Sequence, residues 1–338
     1  MIRHTIDSDA FSLPSNGIER LDVAVTPEHR LDIVAVRNGP GPRVLVVGGT
    51  HGDEFEGQIA TLELARSLPD LIVCGTLIVL PLHNPAAARA GHRRSPTDLR
   101  DLNRAYGSAR QPGPTQSIAD FVSNALLPEA DIVIDLHSGG RTHAFVLSSN
   151  LQATPGGPEW AEMRPMLMAF GAPYAITFDE AGEDGMPHKG TLEGLVRTLG
   201  KRALSSEIGG SGGVTAASVA VARQGLTNLL HHVGSISSPL AMDWRDSPSV
   251  ELSLTLPQQH EKAPCAGWFV PHCQLGDVVN AGSTLGCVLP DDDPLAEPLP
   301  VVATTTGTVV ALFHPVRCVK GEVIVYIAAS MPKTSADF

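Results

Sequence analysis

Continuous apolar runs alternate with amphipathic stretches over the first two thirds of the chain. The run RVLVVGG (residues 43–49) precedes GQIATLELARSL, in which apolar residues recur at helical spacing. The same alternation continues through LIVCGTLIVLPL, IADFVSNALLP, DIVIDLHSGG, RALSSEIGG and ASVAVARQGLTNLLHHV. Continuous apolar strands that alternate with amphipathic helices predict an α/β domain, with a buried and largely parallel sheet flanked by helices.

The pattern changes after about Ser235. From Glu251 onward, short β-rich runs alternate with glycine turns, and no helical period is visible. This pattern predicts a smaller antiparallel β domain. We therefore predict an α/β domain over residues 1–238 and a β-rich domain over residues 239–338. Within the second domain, DDDPLAEPLP is predicted to be an exposed loop between two strands.

Composition narrows the classes of partner. The 338 residues carry a net charge of −12, which argues against nucleic acid or an anionic membrane as the main partner. The five cysteines include no C-x-x-C pair, which favours a reducing compartment. The N-terminal sequence MIRHTIDSDAFSL lacks the apolar core of a signal peptide, and the most apolar stretch is too short to span a bilayer. We expect a cytoplasmic protein.

A metal-ligand motif follows the first apolar strand. In H-G-D-E (residues 51–54), His51 and Glu54 are three residues apart in a glycine-containing turn and can bend toward one point. An imidazole and a carboxylate are suitable zinc ligands at about 2.0–2.2 Å. The structural alternative is a polar loop whose acid caps the following helix. Spacing alone does not decide between them.

A second strand-end motif, D-L-H-S-G-G (residues 135–140), follows the apolar run DIVI. His137 is thereby predicted at the carboxyl edge of the sheet, where His51 and Glu54 also fall. Two histidines and one glutamate form a three-ligand zinc set that leaves one coordination position open. The alternative interpretation is that His137 is a buried core histidine. The presence of two strand-end motifs of the same form argues against it.

A candidate general base lies in a third motif, S-E-I-G-G (residues 206–210). Amide hydrolysis at a metal needs a carboxylate near the ion but not bound to it, because a proton must move from water to the leaving amine. Glu207, at a predicted strand end, suits this role. On local grounds it fits equally well as a capping acid ahead of the helix that begins near Thr215.

Candidate substrate-binding residues cluster in a fourth motif, D-L-N-R, which is preceded by GHRRSPTD. Asn103 and Arg104 offer an amide donor and a guanidinium fork, which suit a substrate carboxylate. Arg93 or Arg94 could stabilise an oxyanion, and Asp101 could orient a histidine ligand. Each of these residues, taken alone, is equally well explained as a solvated charge on a loop.

The four motifs, in this order, resemble the succinylglutamate desuccinylase and aspartoacylase family of zinc hydrolases. The resemblance covers nearly the whole chain and implies a metallocarboxypeptidase-like mixed α/β fold with one Zn²⁺ per subunit. The roles that it implies are zinc ligands at His51, Glu54 and His137, a general base at Glu207, a hydrogen bond behind His51 from Asp101, and substrate-carboxylate binding by Asn103 and Arg104.

The family also has an arginine shortly before D-L-N-R that polarises the scissile carbonyl. The SPTDLRD stretch is about two residues longer here than in aspartoacylase, so both Arg93 and Arg94 fit. We favour Arg93 for this catalytic role and assign Arg94 to substrate binding. NRAYGS also replaces the usual NRAFPG, so the loop after Arg104 departs from the family pattern.

The C-terminal domain is similar to lipoyl and biotinyl carrier barrels in LGDVVNAGSTLGCVL and TTTGTVV. The carrier lysine is missing, because threonines 304–306 occupy that hairpin, and we expect no covalent cofactor. We expect a β-barrel-like domain, and the resemblance to the hydrolase family implies that it covers the cleft and restricts it to short substrates.

The implied activity is hydrolysis of the amide bond of a small N-acylated amino acid. Within the family, GGTHGDEFEGQIA, NPAAARAGHRRSPTD and DLHSGG are similar to the N-alpha-acetyl-L-2,4-diaminobutyrate deacetylases of ectoine degradation. The alternatives are succinylglutamate desuccinylase or aspartoacylase activity, a metallocarboxypeptidase acting on peptide C-termini, and a non-catalytic binding protein. The sequence leaves open the acyl group, the amino acid and whether the chain forms a homo-oligomer.

Overall fold

A computed structural model describes residues 3–107, 110–178, 190–237 and 249–331 of the chain. The α-helices of these residues are α1 (Phe55–Ser67), α2 (Pro85–Ala90), α3 (Pro114–Phe121), α4 (Pro158–Phe170), α5 (Leu192–Thr198) and α6 (Ala216–His232). Short 3₁₀ turns span Ser8–Ala10, Leu68–Asp70, Leu102–Arg104, Leu127–Glu129 and Pro257–Gln259, and a π-helical turn, Val122–Leu126, continues α3.

The strands lie mostly in one large sheet. In chain order they are β1 (Arg3–Asp7), β2 (Gly17–Thr26), β3 (His29–Asn38), β4 (Arg43–Gly48), β5 (Ile72–Val73), β6 (Gly75–Leu80), β7 (Ile132–His137), β8 (His143–Phe145), β9 (Ser148–Gln152), β10 (Tyr174–Phe178), β11 (Arg202–Glu207), β12 (Ile236–Ser237), β13 (Val250–Leu254), β14 (His260–Lys262), β15 (Gly267–Pro271), β16 (Val278–Val279), β17 (Thr284–Pro290), β18 (Leu299–Val302), β19 (Gly307–Phe313), β20 (Arg317–Cys318) and β21 (Val323–Ser330). None of the helices of the described residues is both long and apolar enough to cross a membrane.

The large sheet is mixed, with the order β1-β2-β3-β6-β4-β7-β11-β9-β10-β13-β21-β19-β16. Its centre is parallel, because β4 pairs in parallel with β6 and β7, and β7 pairs in parallel with β11. Antiparallel pairs flank this centre, such as β3 with β6 and β9 with β11. The predicted mixed α/β sheet flanked by helices is confirmed.

Helices cover both faces of the central strands. On β4, Val44 and Val46 pack into one apolar cluster with residues of α1, α4 and α6, whereas Leu45 and Val47 pack into another with residues of α3 and α5. Successive side chains of a strand point to opposite faces, so a continuous apolar run is what a sheet buried on both faces requires.

The β-rich C-terminal region is divided between two sheets. Strand β13 pairs with β10 and with β21, so that β21 and β19 continue the large sheet. Strands β18, β17, β15 and β20 form a separate antiparallel sheet, and residues 291–298 join β17 to β18 as a largely exposed loop, as predicted. Within the described residues this sheet does not close on itself, so the expected barrel is not confirmed. The boundary at residue 238 stays a prediction.

Candidate metal centre and active site

The three predicted metal ligands lie together at the carboxyl edge of the central strands. Nδ1 of His51 is 2.7 Å from Oε1 of Glu54, and Nδ1 of His137 is 2.8 Å from Oε2 of Glu54. All three side chains are buried, with exposures of 3%, 3% and 8% for His51, Glu54 and His137. Their ligand atoms lie within 4.8 Å of one another, which is compatible with one shared cation.

Local backbone geometry presents the first pair of ligands. Strand β4 ends at Gly48, and Gly49 then adopts a φ of 71°, a left-handed conformation that glycine takes without strain. A Cβ at Gly52 would lie 2.0 Å from the carbonyl carbon of Ala87, so only glycine fits there. The chain therefore turns tightly enough to place Glu54 at the start of α1, beside His51.

A second carboxylate orients each imidazole. Nε2 of His51 lies 3.0 Å from Oδ1 of Asp101, and Nε2 of His137 lies 2.9 Å from Oδ2 of Asp135. An imidazole that donates Nε2–H to a carboxylate presents the lone pair of Nδ1 to a cation. Asp101 was predicted for this position, whereas Asp135 was not. The sequence signal for Asp135 is its spacing from His137, because residues two apart on a strand share one face.

The ligand set fits Zn²⁺. It provides two oriented imidazole nitrogens and one carboxylate, and the carboxylates behind the imidazoles complete the arrangement usual around zinc. Burial alone would raise the pKa of Glu54, but His51 and His137, when protonated, outweigh it and hold this pKa well below the usual range. The pocket thus keeps a buried carboxylate ionised beside the two imidazoles.

Glu207 lies where a general base is expected. It ends β11 opposite His137 in the parallel register and lines the same cavity, of about 450 Å³, as the three ligands. Its Oε2 atom is buried and has no hydrogen-bond partner among the described residues. Burial, followed by the negative charge of Glu54, raises the pKa of Glu207 to about 8. This carboxyl group therefore holds a proton more readily than an ordinary glutamate.

Arg93 and Arg94, the two candidates for the carbonyl-polarising arginine, differ in position relative to the cavity. Arg93 lines the cavity, donates from Nε to Oδ2 of Asp101 at 2.9 Å, and holds a guanidinium nitrogen 3.6 Å from Oε1 of Glu54. Arg94 is exposed and, within the described part of the chain, is not among the residues that line the cavity. The structure brings Arg93 to the other predicted site residues and does not bring Arg94 there.

Asn103 and Arg104 also line the cavity. The side-chain oxygen of Asn103 accepts a hydrogen bond from the backbone N–H of Leu192 at 2.9 Å, which leaves its amide nitrogen to donate to a ligand. Arg104 donates to the backbone carbonyl of Asn103 at 2.7 Å. Burial lowers the pKa of Arg104, although a guanidinium stays charged at neutral pH.

The cavity has further lining residues that no sequence motif indicated. Glu322 and Tyr326 come from the C-terminal region, and Glu193 comes from the first turn of α5. The first two show that the β-rich region contributes to the cavity wall. They belong to a stretch with an ordinary strand pattern, and their proximity to His51 depends on strand pairings between distant parts of the chain.

Comparison with known proteins identifies the family. A model of the succinylglutamate desuccinylase/aspartoacylase catalytic domain matches residues 40–233. This span contains all four motifs and every residue assigned to the candidate metal centre. The chain therefore belongs to the succinylglutamate desuccinylase/aspartoacylase family.

Individual relatives agree with this assignment. An N-alpha-acetyl-L-2,4-diaminobutyric acid deacetylase from Halomonas elongata is 30% identical over 298 residues, 88% of this chain and 85% of the relative. The product-bound structure of the ectoine utilization protein EutE (DoeB) from Ruegeria pomeroyi has a TM-score of 0.83 and 29% identity, and covers 95% of this chain and 98% of its own. A succinylglutamate desuccinylase/aspartoacylase from Rhodobacter sphaeroides has a TM-score of 0.83, 28% identity and the same coverage.

Proposed function

We propose that the protein is a zinc-dependent deacylase that hydrolyses the amide bond of a small N-acylated amino acid, with Nα-acetyl-L-2,4-diaminobutyrate as its substrate. The observation that carries this proposal is the convergence of His51, Glu54 and His137 in one cavity with the unpartnered carboxylate oxygen of Glu207. The Halomonas relative, named for this deacetylation, supports the choice of substrate.

In this proposal His51, Glu54 and His137 hold one Zn²⁺ per subunit. When bound, Zn²⁺ supplies Lewis-acid polarisation of a carbonyl and lowers the pKa of a coordinated water. Asp101 and Asp135 keep the two imidazoles in the tautomer that presents Nδ1.

Glu207 moves the proton. Its carboxylate takes a proton from the attacking water and returns it to the departing amine nitrogen, so that the amide C–N bond breaks to a carboxylate and an amine. Burial and the negative charge of Glu54 raise the pKa of Glu207, which helps the protonated form to persist until the proton is passed to the amine. Arg93, tied to Asp101, stabilises the negative charge that develops on the acyl oxygen.

Arg104 and Asn103 bind the α-carboxylate of the substrate. A guanidinium fork and an amide N–H₂ provide donors for both carboxylate oxygens. The hydrogen bond from Leu192 to the side-chain oxygen of Asn103 sets the orientation of that amide.

The wall of the cavity favours a small substrate over a peptide. Its volume is about 450 Å³, and Glu322 and Tyr326 of the C-terminal region form part of its wall. A metallocarboxypeptidase needs room for the residues that precede the scissile bond, so we favour a deacylase. We expect the enzyme to act in the cytoplasm.

A hydrolysis screen tests the proposal. The zinc-loaded protein is assayed for amine release from Nα-acetyl-L-2,4-diaminobutyrate, N-acetyl-L-aspartate, N-succinyl-L-glutamate and a dipeptide. We expect the first to be hydrolysed with the highest kcat/KM and the dipeptide to be resistant. If the dipeptide is hydrolysed fastest, the protein is a peptidase. If the zinc-loaded protein hydrolyses none of these substrates, the proposed function fails, and absence of bound metal after purification without chelator would favour the binding-protein alternative.

A further inference from the structure

Glu193 is an acidic residue of the cavity to which the hydrolytic mechanism gives no role. It lies in the first turn of α5, where the Thr191 side chain accepts a hydrogen bond from the N–H of Gly194. The start of this helix is also fixed by the hydrogen bond from Leu192 to Asn103. Glu193 is therefore held on a capped helix that is joined directly to the proposed carboxylate-binding residue.

Few groups of the protein neutralise the negative charge of the Glu193 carboxylate. The hydroxyl of Ser205 donates to its Oε1 at 3.1 Å, and no arginine, lysine or histidine of the described residues forms an ion pair with it. Burial raises its pKa to about 7, against the opposing charges of His137 and Arg197 and with a further contribution from Asp135. Glu193 is half-buried by solvent exposure, so its charge is only partly solvated, and a ligand that supplies a cation would stabilise it.

Strand geometry places this carboxylate within reach of the reaction centre. Ser205 and Glu207 are two residues apart on β11, share one face and both line the cavity. Two strand residues span roughly 6.6 Å. In a 2,4-diamino acid, four bonds of about 1.5 Å separate the two nitrogens, which places them up to about 5 Å apart. A substrate whose leaving nitrogen contacts Glu207 can therefore reach Glu193 with its second nitrogen.

We propose that Glu193 binds the side-chain ammonium of the substrate and so selects N-acylated diamino acids within this family. Resting on the proposed function, this inference assigns the amino-acid end of the same site. The cavity then recognises a zwitterionic substrate. Arg104 and Asn103 bind its α-carboxylate, and Glu193 binds its ammonium.

The same carboxylate discriminates against dicarboxylic substrates. An N-acylated aspartate or glutamate would bring its side-chain carboxylate toward Glu193, and two like charges at short distance in a partly buried site repel each other. An N-acylated 2-aminobutyrate has the same carbon skeleton without the ammonium, and it would leave Glu193 without a cationic partner. Specificity in this site thus combines attraction for one substrate class with repulsion of another.

The test compares two substrates on wild-type protein and on two variants. The substrates are Nα-acetyl-L-2,4-diaminobutyrate and N-acetyl-L-2-aminobutyrate, and the variants are Glu193→Gln and, as matched control, Glu162→Gln, which alters an exposed carboxylate of α4. Loss of one charge-assisted hydrogen bond corresponds to a loss of about 10- to 100-fold. We expect Glu193→Gln to reduce the kcat/KM ratio between the substrates by this factor, mainly through KM, and Glu162→Gln to keep the wild-type ratio.

The outcomes separate this inference from the proposed function. If wild-type protein hydrolyses neither acetylated substrate, the proposed function fails. If it hydrolyses both equally well, or if Glu193→Gln reduces both equally, the deacylase assignment stands and the ammonium site is wrong. The wild-type comparison needs no variant, so equal hydrolysis of the two substrates overturns the ammonium site even if Glu193→Gln does not fold.

Discussion

Nδ1 of His137 lies 2.8 Å from Oε2 of Glu54, although 83 residues separate the two along the chain. The contact follows from strand order, because β4 and β7 are parallel neighbours and both motifs begin where these strands end. Parallel strands end at one edge of a sheet, so a ligand set drawn from two strand ends is rigid before any cation binds.

The first prediction concerns Asp135, which accepts a hydrogen bond from His137 at the face away from the cation position. We expect Asp135→Asn to weaken zinc affinity by about 10- to 100-fold, because an amide orients the imidazole less strongly. Competition with a chromophoric chelator measures this affinity. An unchanged affinity in a folded variant would show that Asp135 does not orient His137.

The second prediction separates proton transfer from metal binding at Glu207. Glu207→Gln preserves the size of the side chain but cannot accept a proton, so kcat is expected to fall by about 10²- to 10⁴-fold. Zinc content, measured by elemental analysis, is expected to equal that of wild type, because Glu207 is not one of the three proposed ligands. A variant with substantial turnover and full zinc content would remove Glu207 from the role of base.

The third prediction concerns recognition of the α-carboxylate. Arg104→Ala is expected to raise KM for N-acetylamino acids by about 10- to 100-fold, because two charge-assisted hydrogen bonds are lost. Arg94→Ala is the control, since this neighbouring arginine is exposed and lies outside the cavity wall of the described residues. Steady-state kinetics distinguish them. Equal KM increases in both variants would contradict the placement of Arg94.

The fourth prediction is a pH dependence that arises from Glu193. Its pKa is raised from 4.5 to about 7, so the group is ionised above pH 7 and becomes neutral as the pH falls. The ammonium of the substrate stays charged throughout. The KM ratio of Nα-acetyl-L-2,4-diaminobutyrate to N-acetyl-L-2-aminobutyrate is therefore expected to rise about tenfold between pH 8 and pH 6. A ratio independent of pH would argue against the ammonium contact.

The parts of the site that were predictable from sequence are those fixed by strand ends. His51, Glu54, His137 and Glu207 each stand at the end of an apolar run, and the carboxyl ends of parallel strands meet at one edge. For these residues, the apolar runs in the sequence and the geometry of parallel strands make the same prediction. The sheet flanked by helices follows from the same alternation of runs, whereas its mixed strand directions were implied by the family resemblance.

Other residues of the site depend on geometry that no local pattern carries. Glu193 reaches the cavity because α5 is joined to Asn103, and Tyr326 reaches it because β21 pairs with β13 and β19. The two neighbouring arginines, Arg93 and Arg94, are equivalent by sequence, and only the path of the loop separates them. The C-terminal barrel was expected from a resemblance to carrier barrels, but the shared pattern of glycines and turns fixes hairpins and not the sheet that each strand joins.

The central claim is that His51, Glu54 and His137 hold the zinc on which amide hydrolysis depends. The direct measurement is a titration of metal-depleted protein with Zn²⁺, in which bound zinc and hydrolysis of Nα-acetyl-L-2,4-diaminobutyrate are followed together, for wild type and for Glu54→Gln. We predict that wild-type activity rises in proportion to bound zinc and saturates at one ion per chain, while Glu54→Gln binds weakly and stays inactive. Full activity in the metal-depleted protein, or wild-type zinc binding by Glu54→Gln, would contradict the claim.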